Sequence, residues 1–278
     1  MSGFYWLASY PKSGNTWLRM ALRSLHNGGA RVRFGDEDTW IPMASAREPF
    51  DSLLQLDSSD LTQDEVESLR PLFYMEQARL ANQPLLRKVH DAWIHTPSGA
   101  PLFPPAVTLG AIYIVRDPRD VAVSYAHHAS CSIDNAIAFL ENPKASFASA
   151  TRCLTAQLRQ TMLTWSDHVA SWLDAPGIRV LTVRYEDMLA EPKATLAQVA
   201  RFCQINASPE LISAATQATR FDVLQQTEQE QGFREKPPGM ERFFRRGKAG
   251  GWCDSLTSEQ ANRIESVHRE MMQRLQYT

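Results

Sequence analysis

A short apolar run, cut by a compact polar loop and followed at once by an amphipathic helix, constrains this chain more than any other feature. Phe4 to Ser9 is almost wholly apolar and reads as a buried strand. Tyr10-Pro11-Lys12-Ser13-Gly14 interrupts it. From Asn15 the period changes. Trp17, Leu18, Ala21, Leu22 and Leu25 recur at helical spacing until Gly28-Gly29 stops the helix.

The same alternation continues downstream. Leu85 to Val89 reads as a second strand ending at His90, and residues 111–115, rich in β-branched and aromatic side chains, as a third. Arg116-Asp117-Pro118-Arg119 leads into a helix over 120–129, and residues 178–183 form a fourth strand with Arg184 and Tyr185 at its end. Pro192 suits the first turn of a helix reaching about Cys203. Leu158, Met162, Trp165, Val169 and Trp172 stripe a further helix whose apolar face is core. Thr257-Ser258-Glu259-Gln260 is a capping box opening the last helix. Strands alternating with helices predict an α/β fold with a central, mainly parallel sheet. With no linker or repeat, one domain is expected over 1–278. Residues 31–75 lack a stable period and predict helical insertions; residues 225–251 are polar and basic and predict a long loop or lid.

Composition narrows the function. Of 278 residues, 44% are hydrophobic and 22% charged, so the chain can build a core and is not disordered. The net charge of −2 gives no reason to expect nucleic acid as a partner. No run of about 18 apolar residues predicts a membrane span, and the first residues do not read as a leader. Cys131, Cys153, Cys203 and Cys253 form no C-x-x-C pair, which predicts reduced thiols in a cytoplasmic protein.

Three segments carry chemistry. The loop from Tyr10 to Trp17 places a glycine and several N–H donors at a helix start, which suits an anion; a simple capped turn would look similar. Its Lys12 precedes the glycine, so it is not a Walker A loop. Arg116 follows a strand and Ser124 lies in the next helix, so both can face the ligand-binding end of the sheet, unless they are ordinary surface and helix residues. Within 234–248 six Lys/Arg stand against two Glu, with glycines that allow close backbone approach; a solvated basic surface is the alternative.

In this order, YPKSGNTW, RDPRDVAVS and RRGKAGGW resemble the nucleotide motifs of the PAPS-dependent sulfotransferases of the cytosolic type and their bacterial relatives. Arg184-Tyr185-Glu186-Asp187-Met188 resembles a fourth element of that family. The resemblance spans nearly the whole chain. It implies a P-loop-like nucleotide-binding fold, PAPS as sulfuryl donor and PAP as product, a small-molecule acceptor, and no metal. It implies that Lys12, Ser13, Gly14, Asn15, Thr16 and Trp17 hold the 5′-phosphosulfate, with Trp17 also on adenine. Arg116, Ser124, Arg245, Arg246 and Gly247 would hold the 3′-phosphate, and Tyr185, Thr219 and Phe221 would contact adenine. Lys88-Val89-His90 stands where the family carries its catalytic His, which makes His90 the general base and Lys12 and Lys88 the charges that stabilise the transferred group. His95, His127 and His128 are competitors for the base.

The chain departs from the family pattern at Asn15, Val89, Gly251 and Cys253; Asn15 is expected to keep a donor for the ligand. The family's C-terminal dimer motif is not recognisable, which leaves the oligomeric state open. Trp40, Phe50, Phe73, Tyr74, Phe139 and Phe147 are core or acceptor pocket, with core expected first. A P-loop small-molecule kinase and an inactive nucleotide-binding relative are the rival readings.

Overall fold

The computed structural model describes residues 2–34, 41–150, 153–237 and 239–278. In chain order the elements are β1 (Phe4–Ser9), α1 (Asn15–His26), α2 (Arg47–Leu54), α3 (Gln63–Leu80), β2 (Leu85–Val89), β3 (Thr108–Val115), α4 (Pro118–Ala129), α5 (Ile133–Glu141), β4 (Ser146–Phe147), β5 (Gln160–Thr161), α6 (Trp165–Leu173), β6 (Val180–Arg184), α7 (Tyr185–Ala190), α8 (Pro192–Phe202), α9 (Pro209–Ala218), α10 (Phe221–Gln231) and α11 (Ser258–Arg274). The main sheet is parallel with order β2-β1-β3-β6.

Alternation along β1 divides the core. Phe4, Trp6 and Ala8 join a cluster with Tyr74, Phe103, Trp165 and Trp172, while Tyr5 and Leu7 join Leu18, Leu22, Val199 and Ile212 on the other face. Both faces are therefore covered, and β1 is buried throughout and almost wholly apolar because neither side meets water. The chain leaves β1 toward β2 on one side and β3 on the other. The crevice at their carboxyl ends is where open α/β sheets bind ligands.

The sheet is extended beyond β2. Lys88 donates its N–H to Pro42 O at 2.9 Å, and Ala44 donates to Lys88 O at 2.8 Å. On its other side this segment pairs with residues 156–158: Leu158 donates to Ser45 O at 2.7 Å and Arg47 to Ala156 O at 3.0 Å. The edge of β2 is thus covered by backbone.

Three expectations need correction. The stripe from Leu158 to Trp172 is not one helix. Leu163 has φ 58° and Thr164 caps the helix, accepting from the Asp167 N–H, so α6 starts only at Trp165; Leu158 and Met162 are buried from irregular chain on either side of β5. The loop expected over 225–251 begins at Gly232, because α10 continues to Gln231. The third strand starts at Thr108 rather than at 111. Helical insertions are present before residue 75 as α2 and the start of α3. Phe50, Phe73 and Tyr74 are core, whereas Phe139 and Phe147 stack on Tyr125 at its edge; Trp40 lies outside the described residues. The four cysteines are free thiols. Among the described residues no helix is long and apolar enough to cross a membrane.

Candidate active site

A cavity of about 1170 Å³ opens at the carboxyl ends of β1, β2, β3 and β6. The loop after β1 forms its floor. Lys12 (φ 70°) and Gly14 (φ 102°) are both left-handed, and for Lys12 this is a strained conformation of the kind retained at functional loops. A Cβ on Gly14 would come within 2.6 Å of the Tyr185 ring, so only glycine lets this loop pass under that tyrosine. No side chain caps α1, which leaves its first N–H groups for an anion. Ser13 Oγ is buried there without a partner.

One end of the cavity is a cluster of cations. Arg116 lies over the Tyr185 ring at 4.3 Å and donates to Lys12 O at 3.3 Å and Lys248 O at 3.0 Å. Its Nε is buried and unpartnered. Arg245 is held below the usual arginine range by burial and by Arg246 and Arg116, so these guanidiniums converge. The segment carrying Arg245 is fixed by acids acting on backbone. Glu228 accepts from the N–H groups of Phe243 and Phe244, and Asp120 accepts from Gly250 at 2.8 Å and Trp252 at 2.9 Å. Gly247 has φ 58°, and a Cβ there would strike the Phe221 ring at 2.3 Å. Ser124 lines the same cavity from α4.

The other end holds Lys12, Lys88 and His90. Burial, Lys88 and Arg116 bring the Lys12 ammonium down to about 7, and the ammonium lies 4.6 Å over the Phe243 ring. Lys88 is lowered by burial and Arg19, while its 3.1 Å ion pair with Glu235 opposes that shift. Burial and Lys88 hold His90 well below the usual imidazole value, so the ring is neutral near pH 7. His90 Nδ1 lies 2.9 Å from Ser9 O. A carbonyl only accepts, so Nδ1 carries the proton and Nε2 is left as a bare base. The backbone after β2 is pinned as well. His168 Nε2 donates to His90 O at 3.0 Å, Trp172 Nε1 to Asp91 O at 2.9 Å, and Arg70 binds both Asp91 carboxylate oxygens.

The sequence profile described as the sulfotransferase domain matches residues 4–276. The chain belongs to the sulfotransferase domain family. It is 25% identical to cytosolic sulfotransferase 16 of Arabidopsis thaliana, covering 95% of this chain and 74% of that one. It is 23% identical to the amine sulfotransferase of Oryctolagus cuniculus, covering 95% and 79%. In fold it resembles mouse sulfotransferase SULT7A1 complexed with PAP, at TM-score 0.60 and 20% identity over 98% of this chain and 85% of that chain. It also resembles retinol dehydratase in complex with androsterone and inactive cofactor PAP, at TM-score 0.61 and 20% identity over 97% and 80%.

Most of the expected site residues of this sulfotransferase share the cavity wall: Lys12, Gly14, Asn15, Thr16, Trp17, Lys88, His90, Arg116, Ser124, Tyr185, Phe221, Arg245, Arg246 and Gly247. Two do not line it. Ser13 is buried beneath the loop, and the Thr219 hydroxyl is bonded to Ala215 O at 2.7 Å. Thr219 acts through its carbonyl, which accepts from Trp17 Nε1 at 2.8 Å. The Asn15 amide is also not free for a ligand. It donates to Leu7 O at 2.9 Å and Ser9 Oγ at 3.2 Å, so it braces the strand behind His90 instead. Of the competing histidines, His95 and His127 are exposed and off the cavity wall, while His128 lines it and is lowered to about 4 by burial, Lys12 and Lys88. Sequence reasoning missed Arg19, Asp120, Glu228 and Glu235. Asp120 stood inside the RDPRD segment, but its backbone partners lie 130 and 132 residues away.

Proposed function

We propose that residues 1–278 form one sulfotransferase domain that transfers a sulfuryl group from PAPS to a hydroxyl, or amine, of a small-molecule acceptor, with His90 as general base. The observation that carries this reading is the Ser9 O–His90 Nδ1 bond, which leaves a neutral Nε2 in the same cavity as Lys12 and Lys88. The donor fits the residues present. Ser13 Oγ and Arg116 Nε are orphaned donors, Gly14 and Gly247 keep two close approaches clear of side chains, and three guanidiniums converge where a 3′-phosphate would lie.

PAPS supplies the sulfuryl group as an activated phosphosulfate. His90 Nε2 takes the acceptor proton as the acceptor oxygen bonds to sulfur. Lys12 and the α1 N-terminus stabilise the bridging oxygen as its bond to sulfur breaks and PAP is released. Lys88 lies two residues before His90, lines the same cavity, and holds charge at the reacting group. Positioning and electrostatics therefore suffice, as in phosphoryl transfer.

The cavity wall also includes Pro42, Met43, Ala46, Pro49, Phe147 and Ala156, with Gln157 and Gln160 among them. This lining suits a hydroxyl carried on an apolar frame, in line with the androsterone bound to the retinol dehydratase neighbour. Cytoplasmic residence belongs to the same reading. A panel of alcohols, phenols and amines tested with labelled PAPS checks it: sulfated product is expected from apolar alcohols or phenols, and PAP binding with no turnover on any acceptor would favour an inactive relative.

A further inference from the structure

Arg19 sits one turn inside α1 and is only 3% exposed, yet it lines the cavity. A buried guanidinium needs an anion. Its anion is Glu235, 216 residues away on the segment that follows α10. The same carboxylate accepts from Lys88 Nζ at 3.1 Å. One oxyanion is thus gripped by two cations from different elements, α1 and β2. Arg19 Nε is buried with no partner, so the guanidinium has donor capacity that Glu235 does not use.

The position of this carboxylate matters. Lys88 and His90 line the same cavity, and the charges of both Lys88 and Glu235 act on His90, so an anion on Lys88 lies near the imidazole. Glu235 is also close enough for its charge to act on Lys12, His90 and His128. Burial would raise its carboxyl, but Lys88 and Arg19 outweigh this and leave it at about 2, so it is ionised. A second oxyanion brought to these cations meets like charge at close range in a partly buried site, which is unfavourable. Glu235 stands on irregular chain between Gly232 and Pro237, so it can leave without breaking a helix or strand.

We propose that Arg19 and Lys88 form an oxyanion seat for the sulfuryl group, and that Glu235 is a resident anion occupying the seat until the donor's sulfuryl oxygens replace it. The inference rests on PAPS being the donor. Arg19 then becomes a donor-binding residue outside the loop motif, and Glu235 discriminates the charged donor from the spent product, because PAP carries no sulfuryl group to compete for the seat.

The test is the ratio of PAP to PAPS dissociation constants, measured by calorimetry without acceptor. Glu235→Gln removes the competing charge and is expected to tighten PAPS by roughly tenfold, the scale of one charge-assisted contact, with PAP nearly unchanged. Arg19→Gln is expected to weaken PAPS by a similar factor and to leave PAP alone; Arg19→Lys should recover part of the loss. Melting temperatures of the variants verify that each is folded. Equal changes for both nucleotides in Glu235→Gln, or no change for either, would overturn the inference and make Glu235 a latch for its loop. If wild type binds PAP but the ratio is unmoved in both variants, only this inference fails. If wild type binds neither nucleotide, the donor assignment fails with it.

Discussion

Arg116 and Arg245 at one end of the cavity carry the same formal charge as Lys12 and Lys88 at the other, yet their surroundings differ. At the first end guanidiniums crowd together, and the nearby acids Asp120 and Glu228 direct their carboxylates mainly at backbone N–H groups. Arginine keeps its charge under such crowding, so this end stays positive at any physiological pH. At the second end lysines are used, and burial brings Lys12 to about 7 while Glu235 compensates Lys88. Lysine is the cation whose charge responds to its setting. The contrast separates permanent charge from adjustable charge: under the proposed function, the first end would grip the nucleotide and the second would change state during the reaction.

The largest effect that could break this division is loss of the base. His90→Ala should reduce turnover by about 10²–10⁴-fold while leaving PAP affinity nearly intact. If PAP affinity fell in parallel, the two ends would not be separable. Next, Arg245→Ala should weaken PAP by about 10- to 100-fold, the weight of one hydrogen bond to a charged group, and barely alter AMP, which lacks the 3′-phosphate. Competition titrations with both nucleotides give the comparison, and an equal loss for both would remove Arg245 from the 3′-phosphate.

A smaller effect follows from Lys12. Its pKa in the free protein is about 7, and a bound phosphosulfate or phosphate raises it. The protonated form therefore binds tighter. PAP affinity should be flat below pH 7 and fall by at most about tenfold per pH unit above it, with proton uptake on binding; proton uptake measured in buffers of different ionisation enthalpy checks the sign. Lys12→Arg should flatten that slope. The smallest expected change lies on the acid side. Because His90 is held well below the usual imidazole value, kcat/KM should not decline between pH 7 and 6, and a fall there would mean that the base titrates normally.

The nucleotide end was the more legible in the sequence, for a physical reason. Its residues sit in contiguous loops that follow strands, so the order strand, loop, helix already gathers Lys12, Arg116 and Tyr185. β2 was legible to its bounds, ending before His90, although Arg87 and Lys88 stand among its apolar residues. The failures were of two kinds. Leu158 to Trp172 keeps helical spacing by coincidence, and only the left-handed turn at Leu163 reveals that the chain doubles back. The carboxyl half of α10, with Gln225, Gln226, Gln229 and Gln231 among its polar residues, looked like loop because its buried stripe is thin: Leu224, Thr227 and Glu228. Glu235 and Arg19 were illegible for a different reason. A pair separated by 216 residues leaves no local pattern, and each alone is an ordinary charge in an ordinary place.

The ladder that joins residues 156–158 to residues 42–46, and those to β2, has a bearing on how the acceptor wall can change. Pro42, Met43, Ala46 and Ala156 line the cavity, with residues 42–44 paired to Lys88 and Ala156 paired in turn to Arg47. Swapping one of these side chains alters the wall and leaves the ladder untouched. Inserting or deleting a single residue would turn the inward set outward and slide the strip against the strand that leads to His90. With this strip as the proposed acceptor wall, selectivity is expected to change by substitution at fixed length: libraries that vary loop length at 42–46 should yield few active clones, while libraries of side-chain identity at the same positions should yield many.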